Sequence, residues 1–273
     1  MRIMKKVLQV SLIILFSAGI LSSCKKDKGN APVLPPSETM FIDFSNFTSL
    51  KKSSLADQSV KGTESSAWQF AASIAGIWNS LISSNADIPL TAYDSAAKYN
   101  AVYVSKNYWQ WSYEFTFDGV VYKSVIDGES STNSIIWKMY LTKNATGGFS
   151  DFLWLEGTSR ADGTQGQWIF YQSPQLPLKI FQTDWIKSGD LVTEVKYTYL
   201  IDDPNKDSYI DFNIITNSNL NASYNIHFSD GTYSDSDIEW NTVTRNGRLK
   251  CLDYLQDENW YCWDNNKINM ICE

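Results

Sequence analysis

The sequence predicts a mainly β protein, an antiparallel meander forming a closed or half-open barrel, with one N-terminal amphipathic helix packed on it. Residues 109–127 alternate between aromatic and polar side chains, as half-buried strands do. Roughly ten to twelve strand-like segments are separated by turn residues. Only the segment at about 67–84 has long helical periodicity. Strands and helices do not alternate along the chain, which argues against a parallel sheet.

The clearest strand pair is a hairpin over residues 109–127. Every odd position from 109 to 117 is aromatic and the even positions between them are polar. Asp118-Gly119 favours a two-residue type I′ turn, because both central residues of that turn need positive φ. The resulting register makes Glu114 and Lys123 a cross-strand charge pair on the polar face. The apolar pairs that it predicts are Phe117 with Val120, Phe115 with Tyr122, and Trp111 with Ile126.

The long helix is predicted before this hairpin, at about 67–84. Its apolar side chains fill one half of the helical cylinder, and a stripe of that width is suited to packing on a sheet. Ser66 and Gln69 have the spacing of a capping box at its start. Asn85 and Pro89 mark its predicted end.

Further segments extend the pattern towards both termini. Residues 91–98 are a candidate for a short second helix, and residues 40–47 for a first strand. Turn compositions at 160–164, 188–190 and 246–247 predict hairpins. The other expected strands are 135–143, 152–157, 167–172, 179–186, 191–201, 209–216 and 224–228, with a last one beginning at Trp260.

The N-terminus has the composition of an export signal. Three basic residues precede an apolar run that ends in Leu21-Ser22-Ser23-Cys24. This tetrapeptide resembles the lipobox of bacterial lipoproteins, and the resemblance implies cleavage before Cys24 and diacylation of that cysteine. A transmembrane anchor fits less well, because polar residues interrupt the run and it is shorter than about 20 residues. We therefore predict a signal peptide at 1–23, a lipid-anchored polar and Pro-rich tether at 24–39, and a single β-rich domain at 40–273.

The tether and the aromatic, Asn-rich β domain are similar to those of uncharacterised outer-membrane lipoproteins of Bacteroidota-type bacteria. This resemblance implies a protein held at the outer membrane through Cys24. Lys25 follows the cysteine, whereas an aspartate there would resemble an inner-membrane retention signal. Lys25-Lys26 departs from the acidic tether associated with surface export in that group. The periplasmic and the surface-facing orientation therefore both stay open.

Charge argues against nucleic acid as a partner. The chain has 23 basic and 30 acidic side chains, and removing the three basic residues of the signal leaves 20 against 30, a net charge of −10. Nucleic-acid binding requires a basic footprint that this chain does not have. The sequence gives no indication of the oligomeric state.

Three cysteines remain after Cys24, and an odd number in an exported protein allows one disulfide and one free thiol. We favour Cys262–Cys272, which would fasten the C-terminus to the sheet. Cys251–Cys262 across a hairpin is the alternative. Zinc is held by about four Cys, His or carboxylate ligands, and the chain has one histidine, so we predict no metal site.

Three motifs suggest chemistry, and each has a simpler explanation. Residues 203–207 have the D-x-N-x-D spacing that opens a calcium loop, but Ser208 stands where such a loop needs glycine. The acidic cluster of Asp230, Asp235, Asp237 and Glu239 fits a cation site or a glycosidase pair, but a solvated hairpin loop is favoured. His227 is expected to face outward, and the sequence contains no G-x-S-x-G nucleophile elbow with which it could form a catalytic triad. We predict no catalytic residue and no cofactor.

Aromatic residues are the most unusual feature of the composition, with 11 tryptophans and 15 tyrosines. Most are expected in the core, because strand alternation turns them inward. Trp240, Trp260 and Trp263 lie in the polar C-terminal region and are the ones expected to be exposed and to contact a ligand.

These observations support three functional hypotheses. The first is a lipid-anchored, non-enzymatic binder of an apolar or amphipathic small ligand held beneath the helix. The predicted fold resembles lipocalins and the half-barrel lipoprotein carriers of Gram-negative bacteria, a resemblance of fold alone. The second is a carbohydrate- or protein-binding module that acts through exposed aromatics. A carboxylate-based hydrolase is the least favoured, because no nucleophile, metal or cofactor motif is present.

Overall fold

The computed structural model describes residues 29–47, 66–216, 218–231, 233 and 235–272. The chain divides into two compact units, Met1–Asn30 and Ala31–Glu273, and every element named below belongs to the second. The predicted signal peptide and Cys24 lie outside the described residues. Within those residues, no helix combines the length and the hydropathy that crossing a bilayer requires.

One antiparallel sheet of fourteen strands dominates the unit Ala31–Glu273. Each strand pairs only with its neighbours in sequence, which confirms the mainly β meander. Over the described residues the first strand does not pair with the last, so the sheet is half-open rather than closed. There are more strands than expected because the shortest ones hold too few residues to show alternation. The strands are Val102–Ser105 (β1), Tyr108–Phe117 (β2), Val120–Ser130 (β3), Ser134–Lys143 (β4), Phe149–Arg160 (β5), Gln165–Tyr171 (β6), Lys179–Ser188 (β7), Leu191–Tyr199 (β8), Tyr209–Ile214 (β9), Ala222–His227 (β10), Asp235–Trp240 (β11), Gly247–Lys250 (β12), Tyr261–Trp263 (β13) and Asn269–Met270 (β14).

The hairpin of β2 and β3 has the predicted register. Asp118 and Gly119 have φ values of 48° and 73°, as a type I′ turn requires. Glu114 lies opposite Lys123 on the outer face. All three predicted apolar pairs are present, namely Phe117 with Val120, Phe115 with Tyr122, and Trp111 with Ile126.

The helix Ala67–Ala96 (α1) packs on the inner face of the sheet and begins as predicted. The Ser66 side chain accepts a hydrogen bond from the backbone N–H of Gln69 at 3.1 Å, and the Gln69 side chain accepts one from Ser66 N–H at 3.3 Å. This capping box satisfies two backbone donors that the first turn would otherwise leave unpaired. Trp78 and Ile74 of α1 are almost fully buried, as the wide apolar stripe implies.

The predicted end of the helix at Asn85 and Pro89 is wrong. The helix continues through Pro89 to Ala96, and residues 91–98 form no separate helix. A proline inside a helix costs about 3 kcal/mol or more. Tertiary contacts offset this cost, because Pro89 is itself buried and the hydroxyl of Tyr113 in β2 donates a hydrogen bond to the Ala92 carbonyl at 2.6 Å.

Residues 35–47, here called the strap, lie between α1 and the sheet. The strand predicted for residues 40–47 is wrong, because the strap contains two 3-10 helices, Ser37–Met40 and Ser45–Phe47. Ile42 and Phe44 of the strap are both in the core. The strap is not a strand of the sheet. The backbone N–H groups of Thr39, Phe41 and Phe47 instead bond to carbonyls within the strap.

Tyrosine hydroxyls hold the strap in place. Tyr93 of α1 donates a hydrogen bond to the Pro35 carbonyl at 2.8 Å, and Tyr224 of β10 donates one to the Asp43 carbonyl at 2.7 Å. Tyr197 of β8 donates to the Met40 carbonyl. The compact unit therefore begins at Ala31 rather than at residue 40, and the later part of the predicted tether 24–39 is packed against the domain.

Inward-facing glycines leave space in which several of the tryptophan rings pack. Gly157, Gly166 and Gly247 lie opposite tryptophans of the next strand: Trp168, Trp185 and Trp263 respectively. A Cβ atom at these glycines would lie 2.4, 2.6 and 2.4 Å from the nearest atom of that indole ring. The rings therefore lie directly over the glycine backbone, an arrangement that covers an exposed peptide and fills the core. These tryptophans are structural.

The C-terminus is joined to the sheet by the disulfide that the sequence favoured. The sulfur atoms of Cys262 and Cys272 are 2.12 Å apart, which selects this pair over Cys251–Cys262. Cys251 is a buried free thiol that precedes the short helix Leu252–Leu255 (α2). Burial raises the pKa of the Cys251 thiol, so the group is held in its neutral form.

Candidate functional site

Two of the three tryptophans predicted to be exposed are core residues. The exposed fraction is 1% for Trp240 and 0% for Trp263, so that prediction is wrong for both. The ring of Phe47, in the strap, lies 5.0 Å from Trp240 and 6.5 Å from Trp263 between ring centres. The C-terminal strands look polar in sequence because their outer face is polar. Their inner face is covered by the strap, which is distant in sequence.

Trp260 is half-buried, and the side chain of Arg248 already covers one face of its ring. The guanidinium carbon of Arg248 lies 4.3 Å from the centre of the Trp260 ring. Arg248 also forms an ion pair with Glu239 at 2.6 Å. A ligand stacking on this face of the ring would have to displace an arginine held on two sides.

The space beneath the helix, where a ligand was expected, is filled by side chains. Met40 of the strap, Trp78 of α1 and Tyr197 of β8 are each at most 1% exposed. Together with the indole rings over the glycines they form a close-packed core. The space beneath the helix therefore leaves no room for a ligand.

A cleft of about 360 Å³ opens beside the second half of α1. We call it the α1 cleft. One wall is the helix at residues 83–88, and the opposite walls are the ends of β2–β5 and the loop after β6. Its volume falls within the range of small-molecule sites in proteins, about 300–1,000 Å³. Its lining includes Ser84, Asp87, Phe117, Tyr122, Lys143, Phe149, Trp154, Gln172 and Gln175.

Aromatic rings form one side of the α1 cleft. Phe149 is half-buried, and its ring centre lies 5.6 Å from that of Trp154, 6.4 Å from that of Tyr122 and 6.2 Å from that of Phe152. These tilted and edge-to-face contacts are favourable and hold the Phe149 ring rigidly. The cleft therefore presents a fixed apolar surface.

Polar side chains without protein partners form the other side. Within the described parts of the chain, the side chains of Asp87, Lys143, Gln172 and Gln175 make no hydrogen bond or ion pair with the protein. Partial burial, with a smaller contribution from Asp118, raises the pKa of the Asp87 carboxyl above its ordinary value. Trp154 is 5% exposed, and its indole N–H is buried with no acceptor among the described residues. The four polar side chains are available to a ligand, whereas the buried Trp154 N–H is not.

Sequence reasoning missed the α1 cleft, because its residues come from four separated segments and none of those segments carries a motif. The only local signal is the aromatic run of β5, where Phe149, Phe152 and Trp154 are close together. Comparison of the chain with protein-family models, curated proteins and solved structures gave no match. The cleft is thus described by its geometry alone.

A second pocket, of about 440 Å³, lies on the outer face over β5–β8. Most of its charges are already paired. Asp184 accepts hydrogen bonds from Gln167 at 2.9 Å and Gln182 at 2.8 Å, and Arg160 pairs with Asp162 at 3.1 Å. Glu194 is the exception. Burial, followed by the nearby carboxylates of Asp211 and Asp184, raises the pKa of Glu194, and Lys196 only partly opposes them.

Glu194→Gln is expected to stabilise the protein at neutral pH. A carboxyl whose pKa is higher in the folded than in the unfolded chain destabilises the fold when ionised, and this penalty disappears as the pH falls below the raised pKa. The variant should therefore raise the Tm by about 1–2 °C at pH 7. The gain should shrink towards pH 4, where the wild-type carboxyl also becomes neutral. Differential scanning calorimetry across this pH range measures it.

The matched control for this comparison is Glu129→Gln, since Glu129 is exposed on the outer face of β3. Its Tm difference from wild type should be small and should change little with pH. An equal and pH-independent gain in both variants would contradict the assignment to Glu194.

The other motifs lie in ordinary structural contacts. Asp203 accepts hydrogen bonds from the Asn205 backbone at 2.8 Å and the Tyr199 hydroxyl at 3.0 Å, as turn residues do. The acidic cluster is not the expected loop, because three of its four members lie in β11. One of them, Asp235, lies 3.0 Å from His227 on the outer face. No His, Cys, Asp or Glu side chains of the described residues assemble into a group of three that could hold a metal.

Proposed function

We propose that this protein is a non-enzymatic binder of a small amphipathic ligand, and that the α1 cleft is its binding site. The observation that carries the proposal is the pairing of two surfaces within one cleft. A rigid aromatic side, built around Phe149, faces polar groups of Asp87, Lys143 and the two glutamines that have no protein partner among the described residues. Small-molecule sites in proteins combine apolar walls with a few convergent polar groups in this manner.

The polar side argues for an amphipathic ligand rather than a wholly apolar one. An apolar molecule would remove these polar groups from water without replacing their hydrogen bonds. Each group left unpaired in this way costs about 1–3 kcal/mol. A ligand with one apolar and one polar face avoids that cost.

The proposal includes an anchor at the outer membrane. The sequence Leu21-Ser22-Ser23-Cys24 supports lipidation of Cys24, and Lys25 after it supports the outer rather than the inner membrane. Acyl chains contribute about 0.8 kcal/mol per buried CH₂ group, so the two chains of a diacylated Cys24 would hold the domain stably. The mass of the N-terminal peptide from cells tests this part separately: an unmodified Cys24 thiol in the mature chain would refute it.

The cleft is tested by filling it. Ser84 is exposed and lines the α1 cleft, so Ser84→Trp places an indole where the ligand would lie. We expect native mass spectrometry of the full chain, purified in mild detergent from its own host, to show a bound small molecule on the wild-type chain. The same mass should be absent from Ser84→Trp.

Ser80→Trp is the matched control. Ser80 is exposed about one helical turn earlier on α1 and does not line the cleft. This variant should retain the bound molecule. A wild-type chain that carries no small molecule, or one that Ser84→Trp also retains, would refute the α1 cleft as the site.

A further inference from the structure

We infer that the ligand of the α1 cleft is a neutral saccharide. This inference rests on the proposed function and specifies its ligand class. In it, the C–H face of a sugar ring packs against the aromatic side of the cleft, and the hydroxyl groups bond to Gln172, Gln175 and Asp87. Two kinds of observation support it: the chemistry of the two sides, and the poor fit of the other ligand classes.

The aromatic side suits a flat, weakly apolar face. Phe117 and Phe149 both line the cleft and are half-buried, so part of each ring is accessible. Phe149 is fixed from behind by Trp154 and Tyr122. A ring that is already packed on one side loses less conformational entropy when a ligand packs on its other side, which favours binding of a small and rigid partner.

The polar side suits hydroxyl groups. A glutamine amide offers both a donor and an acceptor, and so does a hydroxyl, so the two can pair in either direction. Asp87 adds an acceptor, and Lys143 adds donors. A polyol can satisfy several of these groups at once.

Charged and metal ligands fit the cleft poorly. Among the described residues that line it there is one lysine, one aspartate and no arginine. Carboxylate and phosphate ligands are usually recognised by arginine forks, which are absent from this lining. Hard cations need about six to eight oxygen ligands, well beyond one carboxylate.

Acyl chains fit poorly for a different reason. A lipid tail in the cleft would cover the two glutamines, Asp87 and Lys143 without giving them a hydrogen bond. The long apolar space that such a tail needs is taken in this domain by the strap and the side chains of α1. A neutral saccharide is the class that uses both sides of the cleft.

Isothermal titration calorimetry and saturation-transfer NMR test the inference on the full chain in phosphatidylcholine nanodiscs, with empty nanodiscs as the blank. The probes are neutral mono- and disaccharides of gluco, galacto, manno and N-acetylglucosamine configuration, and octanoate as an acyl probe. We expect at least one saccharide to bind the wild-type chain and to receive saturation at its ring C–H protons. Ser84→Trp should abolish this binding.

Residue variants locate the hydrogen bonds. Gln172→Ala combined with Gln175→Ala should lower the saccharide association constant about tenfold, the loss expected for two hydrogen bonds. Gln165→Ala makes the same change at an exposed glutamine outside the cleft and should leave the constant unchanged. An equal loss in both would refute the assignment.

The probes also separate this inference from the proposed function. If octanoate binds, if Ser84→Trp abolishes that binding, and if no saccharide binds, the saccharide assignment is overturned. The cleft then remains a site for an amphipathic ligand. Binding of neither probe would overturn the saccharide, and together with a wild-type chain that carries no co-purified molecule it would overturn the proposed function as well.

Discussion

Replacing Trp168 with alanine is expected to lower the free energy of unfolding by about 3–5 kcal/mol, the cost of deleting a large buried aromatic side chain. Trp168 is 1% exposed, and its ring lies over the backbone of Gly157. Its indole N–H donates a hydrogen bond to the Thr39 hydroxyl of the strap at 3.1 Å, and its ring lies 5.4 Å from that of Tyr93. The variant therefore opens a cavity where the sheet, strap and helix meet. Urea denaturation followed by far-UV circular dichroism measures the loss.

Trp260→Ala is the control for this prediction, because it removes the same side chain from a half-buried position. The main interaction that it removes is the stacking of the Arg248 guanidinium on the indole ring, worth about 0.5–1 kcal/mol at an exposed site. Comparable losses of stability in the two variants would mean that the core is not organised around the buried tryptophans.

Gly157→Ala is expected to destabilise the protein by about 1–3 kcal/mol, the usual cost of overpacking a core. The added Cβ would lie 2.4 Å from the carbonyl oxygen of Gln167 and 2.4 Å from the ring of Trp168. The first of these atoms is backbone within the sheet, so relief requires the strands to separate or the indole to move. Thermal unfolding of the variant measures the effect.

Gly76→Ala provides a control of opposite sign. Gly76 lies within α1, and a Cβ there would meet nothing within 4 Å. Alanine inside a helix is favoured over glycine by about 0.5–1 kcal/mol, so this variant should be more stable than wild type. A stabilising Gly157→Ala would show that the indole does not lie over that peptide.

The parts of the fold that sequence predicts are those set by local chemistry. Asp118-Gly119 determines its own turn, and the turn determines the register of β2 and β3. The capping box at Ser66 is local in the same sense. The alternation of side chains is also local, and it predicts that most aromatic residues are buried without any knowledge of what covers them.

The errors arise where a distant segment decides the outcome. The helix passes Pro89 because of Tyr113 and the sheet, which local helix signals do not contain. Trp240 and Trp263 are buried by Phe47, which precedes them by most of the chain. Trp240 and Ile238 are two residues apart in β11, so they point to the same, inward face of the sheet. This spacing is the sequence signal that Trp240 is buried.

The candidate site could not be predicted for a similar reason. The α1 cleft is assembled from a helix, two hairpin ends and a loop, and each contributes only a few side chains. Its polar residues are ordinary surface types in sequence. Only their lack of partners among the described residues, together with the rigid ring of Phe149 beside them, distinguishes them, and both are properties of the assembled structure.

The strap affects the order in which parts of the core can fold. Its carbonyl acceptors at Met40 and Asp43 bond to hydroxyls that lie 157 and 181 residues further along the chain. Contacts between such remote segments form slowly, because a long loop must close before they contribute any stability. Until β8 and β10 have joined the sheet, these carbonyls lack their hydroxyl partners, so we expect the interior to close late in folding.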